Sequence, residues 1–197
     1  MDKREHQFSA HDTGRSADEL LRENLQLKAR IAELERLTAM DTLTPLFNRR
    51  YLMQELDRWC WRAHRYGGTF GLLYLDVDRL KSVNDTHGHA AGDAVLCGIA
   101  EALGSATRKS DVIARIGGDE FAILLDSITG EKLREKAVSL RRQLTAFPVK
   151  TAGPVLKVDV SVGSCLIEGN SRASEVMIEA DKSMYADKRS KYGEAAG

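Results

Sequence analysis

Neither sign of charge is in excess in this chain: 29 lysines and arginines meet 29 aspartates and glutamates over 197 residues. No global field therefore favours DNA, RNA or an anionic bilayer, and any anionic ligand must be held locally. Long apolar runs are absent too. A stretch such as Phe70-Gly71-Leu72-Leu73-Tyr74-Leu75 falls far short of a membrane span, and Met1-Asp2-Lys3-Arg4-Glu5 lacks the apolar core of a signal peptide. The expectation is a cytoplasmic protein with no membrane partner and no nucleic-acid polymer. Cysteine is scarce: Cys60, Cys97 and Cys165 are scattered without C-x-x-C spacing, which argues against a disulfide framework or a thiolate zinc site and reads as small, buried apolar side chains. What is present, 43% hydrophobic residues with 29% charged, suffices for one core of catalytic-domain size.

Residues 1–16 are polar, with little to bury, and read as a disordered leader. From Ala17 a heptad seam begins. Leu20, Leu27 and Leu34 recur every seven residues, and Ala17, Asn24, Ile31 and Thr38 interleave with them. Leucine at d with Asn24 and Ile31 at a suits a parallel two-stranded coiled coil, so residues 17–40 are expected to form a homodimerising helix; the alternative is an amphipathic helix packed on its own domain. Asp41 and Pro45 should end that helix. Beyond it the spacing predicts helices over 49–66, 92–106, 131–145 and 173–188, strands over 69–76 and 155–167, and a hairpin over 112–125, with a tail over 194–197. This α-β-α-β-β-α-β-α order is expected to give an α+β fold close to the ferredoxin-like plan: a mostly antiparallel sheet with helices on one face.

The hairpin tip, Arg115-Ile116-Gly117-Gly118-Asp119-Glu120-Phe121, is the most informative stretch. Gly117 and Gly118 fall where a tight bend takes positive φ, and their missing side chains let a ligand approach the backbone. Two adjacent acids entering a buried strand crowd negative charge, which fits either a solvated turn or a site for a divalent cation. Asp76, at the end of an apolar strand expected beside this hairpin, could meet Asp119 and Glu120 as hard oxygen ligands, three acids for two Mg²⁺ ions. Asp78 is assigned the opposite strand parity, free to cap or to form a salt bridge.

Asn84-Asp85-Thr86-His87-Gly88-His89-Ala90-Ala91-Gly92-Asp93 is dense in groups that bind planar polar edges. Asn84 offers donor and acceptor, and Asp93 accepts two N–H bonds, the complement of a guanine edge; Asp93 equally suits the cap of a helix beginning near Ala94. His87 and His89 have no companions to complete a tetrahedral zinc set. Lys81 and Lys188 are the leading cations for phosphate, helped by backbone amides at Asp78-Arg79-Leu80-Lys81. Arg108-Lys109-Ser110-Asp111 could hold phosphate and a base edge, or form a local salt bridge.

Together these pieces resemble the GGDEF-domain diguanylate cyclases from about Asp41 to Gly193, which implies the cyclase-palm form of the ferredoxin-like sheet. Asp41-Thr42-Leu43-Thr44-Pro45-Leu46-Phe47-Asn48-Arg49-Arg50 is similar to the family's D-x-L-T-G-L-x-N-R-R entry, and Arg115 through Phe121 to its signature with the acidic pair intact. Asp76-Val77-Asp78, Asn84-Asp85, Gly88-His89 and Gly92-Asp93 follow its second block, Ser161-Val162-Gly163 its late strand, and Ala180-Asp181 to Lys188 its last helix.

The resemblance implies metal binding by Asp76, the Val77 carbonyl, Asp119 and Glu120, with two Mg²⁺ or Mn²⁺ ions per site. It implies guanine recognition by Asn84 and Asp93, and phosphate contacts from Lys188, Lys81 and the Leu80 region. It implies catalysis by Asp119, Glu120 and Lys188, and an inhibitory product site at Arg108 and Asp111. The expected activity is condensation of two GTP to cyclic di-GMP and two pyrophosphates across a homodimer; the alternative is a non-catalytic cyclic di-GMP receptor signalling through its coiled coil. The chain departs from the pattern at Pro45 for glycine, at Leu80 for phenylalanine, and at Arg189-Ser190-Lys191-Tyr192-Gly193, where a second phosphate-binding cation is missing and Arg189 or Lys191 could substitute.

Overall fold

The computed structural model describes residues 20–26, 28 and 39–193. The expected leader over 1–16 and tail over 194–197 lie outside the described residues, as do Leu27, Leu34, Ala17, Ile31 and Thr38 of the seam. Residues 20–26 and 28 are helical, and Leu20, Leu21 and Leu25 are exposed. The chain divides after Thr38 into two units.

The second unit is organised around β2 (Phe70–Val77), whose residues are all buried. Apolar side chains occupy both parities of this strand, so each face of the sheet must be covered. The sheet order is β1-β3-β4-β2-β5, with β1 (Phe47–Asn48), β3 (Val112–Arg115), β4 (Glu120–Leu125) and β5 (Val160–Ile167). β2 pairs antiparallel with both β4 and β5; β1 alongside β3 is the parallel pair. Helices pack on both faces, where one was expected. Leu73, Leu75, Val77, Phe121 and Ile123 pack with α3 (His89–Ala106) and α4 (Gly130–Ala146), burying Val95, Ile99, Leu103, Leu140 and Leu144. On the other face Leu72, Tyr74, Ala122 and Leu124 meet α1 (Arg49–Tyr66) and α5 (Ala173–Tyr192) through Leu52, Leu56, Val176, Ala180 and Met184. Each buried Val, Leu, Ile, Phe or Met side chain among these contributes roughly 1.5–3 kcal/mol.

Local chemistry sets the joints. The Asn48 side chain accepts from Tyr51 N at 3.0 Å and caps α1, and Gly67 and Gly68, at φ 71° and 99°, turn the chain into β2. The expected strand over 155–167 begins at Val160; before it only an isolated bridge joins Val149 to Leu156. A short helix, α2 (Leu80–His87), which the spacing does not predict, runs into the polar stretch that begins at Asn84. Cys60 is buried and its thiol is pushed up to about 11, first by burial, whereas Cys97 and Cys165 are only half-buried.

One glycine decides where α5 sits. A Cβ on Gly163 of β5 would stand 2.1 Å from Met184 N and 2.2 Å from the Ala180 carbonyl oxygen, so the helix backbone rests directly on the strand. That contact brings the C-terminal turns of α5 over the end of β2.

Candidate active site

Pairing of β2 with β4 places Asp76 directly opposite Glu120, and Val77 N donates to the Asp119 carbonyl at 2.9 Å. The three acids expected to meet are thus brought to one end of the sheet. Glu120 is fixed from two sides: Tyr74 Oη donates to Glu120 Oε1 at 2.8 Å, and a Cβ on Gly117 would lie 2.1 Å from Glu120 Oε2. Neither Gly117 nor Gly118 has positive φ, contrary to the reading of the bend. Gly117 is required for space instead. Tyr74 escaped sequence reasoning because an aromatic residue inside an apolar strand reads as core; its hydroxyl is held well above the usual phenol range by burial and by the bond to Glu120.

α5 supplies the opposing charge. Lys188 Nζ lies 2.7 Å from Asp76 Oδ1 and 4.0 Å from Asp78 Oδ1. Asp76 is pushed up by burial, and by Asp119 and Asp78, more strongly than the ammonium of Lys188 lowers it. Lys188 is itself raised: burial lowers it, but the bond to Asp76 together with the charges of Asp76, Asp78 and Asp119 outweighs that effect. The two shifts agree on a crowded acid cluster: the ammonium is favoured, while the carboxylate remains costly to ionise. Asp78 shares the parity of Asp76, two residues away, correcting the opposite assignment. It is buried and accepts from Ser161 Oγ at 2.8 Å and Lys191 Nζ at 3.1 Å, the salt-bridging role that was one of its readings.

The donor set suits a hard divalent cation. Asp76 and Glu120 are register partners on neighbouring strands, and a nearby positive charge relieves the burden on Asp76. Among the described residues no three acid, histidine or cysteine side chains form a ready-made cage. A cation held here would complete its shell from backbone and substrate oxygens.

α2 begins immediately after this acid cluster. Arg79 is its N-cap residue, Leu80 is buried in the core, and Lys81 is exposed. Asn84, on the same helix, has a buried Oδ1 with no hydrogen-bond partner, and a Cβ on Gly92 of α3 would stand 1.9 Å from that atom. The Asn84 acceptor therefore sits over Gly92, next to exposed Asp93. An orphan acceptor beside a free carboxylate complements a ring edge carrying adjacent N–H donors. Asp93 does not cap a helix: α3 starts at His89 behind Gly88, which places Asp93 on its second turn.

Arg115 is a further missed residue. Its Nη1 lies 3.2 Å from Asp41 Oδ1, and its Nη2 donates to the Gly118 carbonyl at 2.8 Å, tying the loop before β1 to the glycine bend. Asp41 also accepts from Leu43 N, Thr44 N and Thr44 Oγ1. Against the upward effect of burial, the Thr44 bonds and Arg115 hold its carboxyl below the usual carboxylate range.

Arg108 and Asp111 lie before β3, where the Arg108 backbone N–H donates to Asp111 Oδ2 at 2.8 Å. The side chains form no ion pair with each other among the described residues, so the local salt bridge does not form. Both line a cavity of about 300 Å³ with Ser127, Lys132 and Lys136.

A family model described as "Diguanylate cyclase, GGDEF domain" matches residues 38–194. The chain belongs to the GGDEF family. The diguanylate cyclase DgcP of Pseudomonas aeruginosa is 40% identical over 149 residues, covering 76% of this chain and 22% of that protein. The diguanylate cyclase DosC of Escherichia coli is 34% identical over 151 residues, covering 76% and 33%. The chain thus spans a third or less of these curated relatives. A crystal structure of the coiled coil and GGDEF domain of DgcB from Caulobacter crescentus, in complex with c-di-GMP, superposes with a TM-score of 0.74 at 29% identity, covering 87% of this chain and 91% of that one. The cyclase-palm architecture is shared with this GGDEF structure. Among the described residues no helix is long and apolar enough to cross a membrane.

Proposed function

We propose that this GGDEF chain is a diguanylate cyclase that condenses two GTP molecules to cyclic di-GMP and two pyrophosphates. The observation that carries the reading is Asp76 in register with Glu120, with Lys188 at 2.7 Å, at the sheet end from which α2 departs. Cyclases of this family depend on divalent metal. Asp76, the Val77 carbonyl, Asp119 and Glu120 would hold two Mg²⁺ or Mn²⁺ ions, which when bound neutralise phosphate charge and make the attacking hydroxyl more acidic.

Asn84 and Asp93 take the guanine edge, and Lys188, Lys81 and the amides near Leu80 take the phosphates. Each 3′-oxygen forms a bond to the α-phosphorus of the other nucleotide as the α–β bridging bond breaks. The hydroxyl proton leaves to Asp119 or Glu120, and pyrophosphate departs with its charge met by Lys188. One half-site holds one GTP, so residues 41–193 act as the catalytic unit and residues 17–40 bring two such units face to face. Holding both nucleotides in that geometry makes the reaction effectively unimolecular. Arg108 and Asp111 form the inhibitory product site, their cavity extended by Lys132 and Lys136.

Incubating the purified chain with GTP and Mg²⁺ and resolving products by chromatography tests the reading. Cyclic di-GMP should accumulate with a rate per subunit that rises with protein concentration. No cyclic dinucleotide at any concentration would refute the enzyme and leave the receptor alternative.

A further inference from the structure

Two non-glycine residues among the described residues adopt positive φ, and one of them, Arg79 at 58°, directly follows Asp78 and precedes α2. Such a conformation costs an L-residue stability and persists where the surroundings hold it for a purpose. Its effect here is on direction. The Arg79 guanidinium carbon lies 4.4 Å from the centroid of the Tyr192 ring, on the last turn of α5. That ring is anchored in turn, its hydroxyl 3.4 Å from both Asp78 Oδ2 and Asp159 Oδ2. Stacking uses the flat face of a guanidinium and leaves its rim of N–H donors to meet an anion.

The neighbouring cations are already engaged. Lys191 Nζ reaches Asp78 at 3.1 Å, Ser161 Oγ at 3.2 Å and the Val160 carbonyl, and its side chain is only 19% exposed. Withdrawing it would leave the fully buried Asp78 carboxylate without its closest cation. Lys188 holds Asp76, and Arg189 has an interaction of its own within the protein. Arg79 is exposed and forms no ion pair among the described residues. A polyphosphate lying between Lys188 and the first turn of α2 would meet this guanidinium next.

We propose that Arg79, steered by Tyr192, is the second phosphate-binding cation of this chain, acting on the outer phosphates of a nucleoside triphosphate. The inference rests on the GTP reading of the site. It assigns to a residue at the start of α2 the charge that the end of α5 does not provide, with Tyr192 as its positioning residue.

Calorimetric titration of the full chain in Mg²⁺ with 3′-deoxy-GTP, which lacks the attacking hydroxyl, and with GMP separates phosphate contacts from base contacts. Arg79→Ala should weaken 3′-deoxy-GTP binding about tenfold or more, the range of a charge-assisted hydrogen bond, and change GMP binding less than about twofold. Tyr192→Ala should act in the same direction, and Tyr192→Phe, which keeps the ring, should restore the preference for triphosphate. Arg79→Gly provides a control on folding: it relieves the positive φ and should raise the melting temperature while losing the same preference. Equal losses for both nucleotides, or no loss for 3′-deoxy-GTP, would overturn the assignment while tight wild-type binding preserves the GTP reading. A wild-type chain that binds neither nucleotide would overturn both.

Discussion

Asp76 and Glu120 face each other across β2 and β4, yet it is Lys188, 112 residues from Asp76 in sequence, that approaches the Asp76 carboxylate to 2.7 Å. The Asp76 carboxyl is nevertheless raised above its ordinary value of 3.8. A carboxyl raised on folding stabilises the native state fully below its unfolded pKa, and that contribution is lost as pH rises through the folded value. Asp76→Asn should therefore melt above the parent at pH 7 in the presence of a chelator, with the gap closing as pH falls toward 4. Cyclase activity should drop by at least about a hundredfold, the scale of losing a key electrostatic group. Parent and variant with identical melting profiles across that range would show that Asp76 carries no such burden.

Gly117 and Gly118 look interchangeable in sequence and are not so in structure. A methyl group on Gly117 would displace the Glu120 carboxylate, whereas a methyl group on Gly118 meets nothing within 4 Å. Gly117→Ala should lower kcat about tenfold or more with a small change in melting temperature, and Gly118→Ala should stay within about twofold, since a misplacement near 1 Å at a reacting group is costly. Equal effects of the two substitutions would mean that the space over Gly117 is not used.

Gly163→Ala tests the contact on which the site is built. Its Cβ would meet backbone atoms of α5 at 2.1 and 2.2 Å, which a helix cannot relieve by rotating a side chain. A loss of about 1–3 kcal/mol in stability, the usual cost of overpacking, is expected by chemical denaturation. Where the variant stays folded, GTP binding should weaken as Lys188 moves away from Asp76. A variant of parental stability would show that the α5–β5 interface yields easily.

The parts of this molecule that were legible in sequence are those whose cause is local. The hairpin could be read because β-rich runs flank Gly117 and Gly118, and the core helices because their apolar spacing is regular. α2 was missed because Ser82, Val83, Asn84, Asp85, Thr86 and His87 all have modest helix propensity and show no regular apolar spacing. The cover on both sheet faces is legible in Leu72, Leu73, Tyr74 and Leu75 of β2, which are apolar at both parities, whereas a ferredoxin-like plan covers one face. Arg115 and Tyr74 were beyond reach for another reason. Their partners, Asp41 and Glu120, lie 74 and 46 residues away, and no local spacing encodes such contacts.

Product control should depend on the cavity beside β3. Arg108 lies there with Asp111, Lys132 and Lys136 and without an ion pair to Asp111 among the described residues, so its guanidinium is available to an anionic ligand. Arg108→Ala should relieve inhibition by added cyclic di-GMP about tenfold or more while leaving the initial rate largely unchanged. Equal inhibition of both proteins would refute the inhibitory assignment.

The Asp41–Arg115 pair links the loop that leads into the catalytic unit to the bend carrying Asp119. Its side chains are each 15% exposed, and Arg115 also holds the Gly118 carbonyl. Arg115→Met would release that carbonyl and leave Asp41 without its cation, with an expected loss of about 1–3 kcal/mol in stability. Because Asp41 is lowered on folding, its contribution is present above its ordinary value of 3.8 and fades as pH falls through the folded value. The stability difference between the parent and Asp41→Asn should accordingly be large at pH 7 and shrink below about pH 4. Arg115→Met should also lower kcat more than it raises KM for GTP, since the bend positions the acids and does not contact the base. A pH-independent difference would remove the ionised Asp41 from the account, and a change confined to KM would place the Arg115 effect on nucleotide binding rather than on the bend.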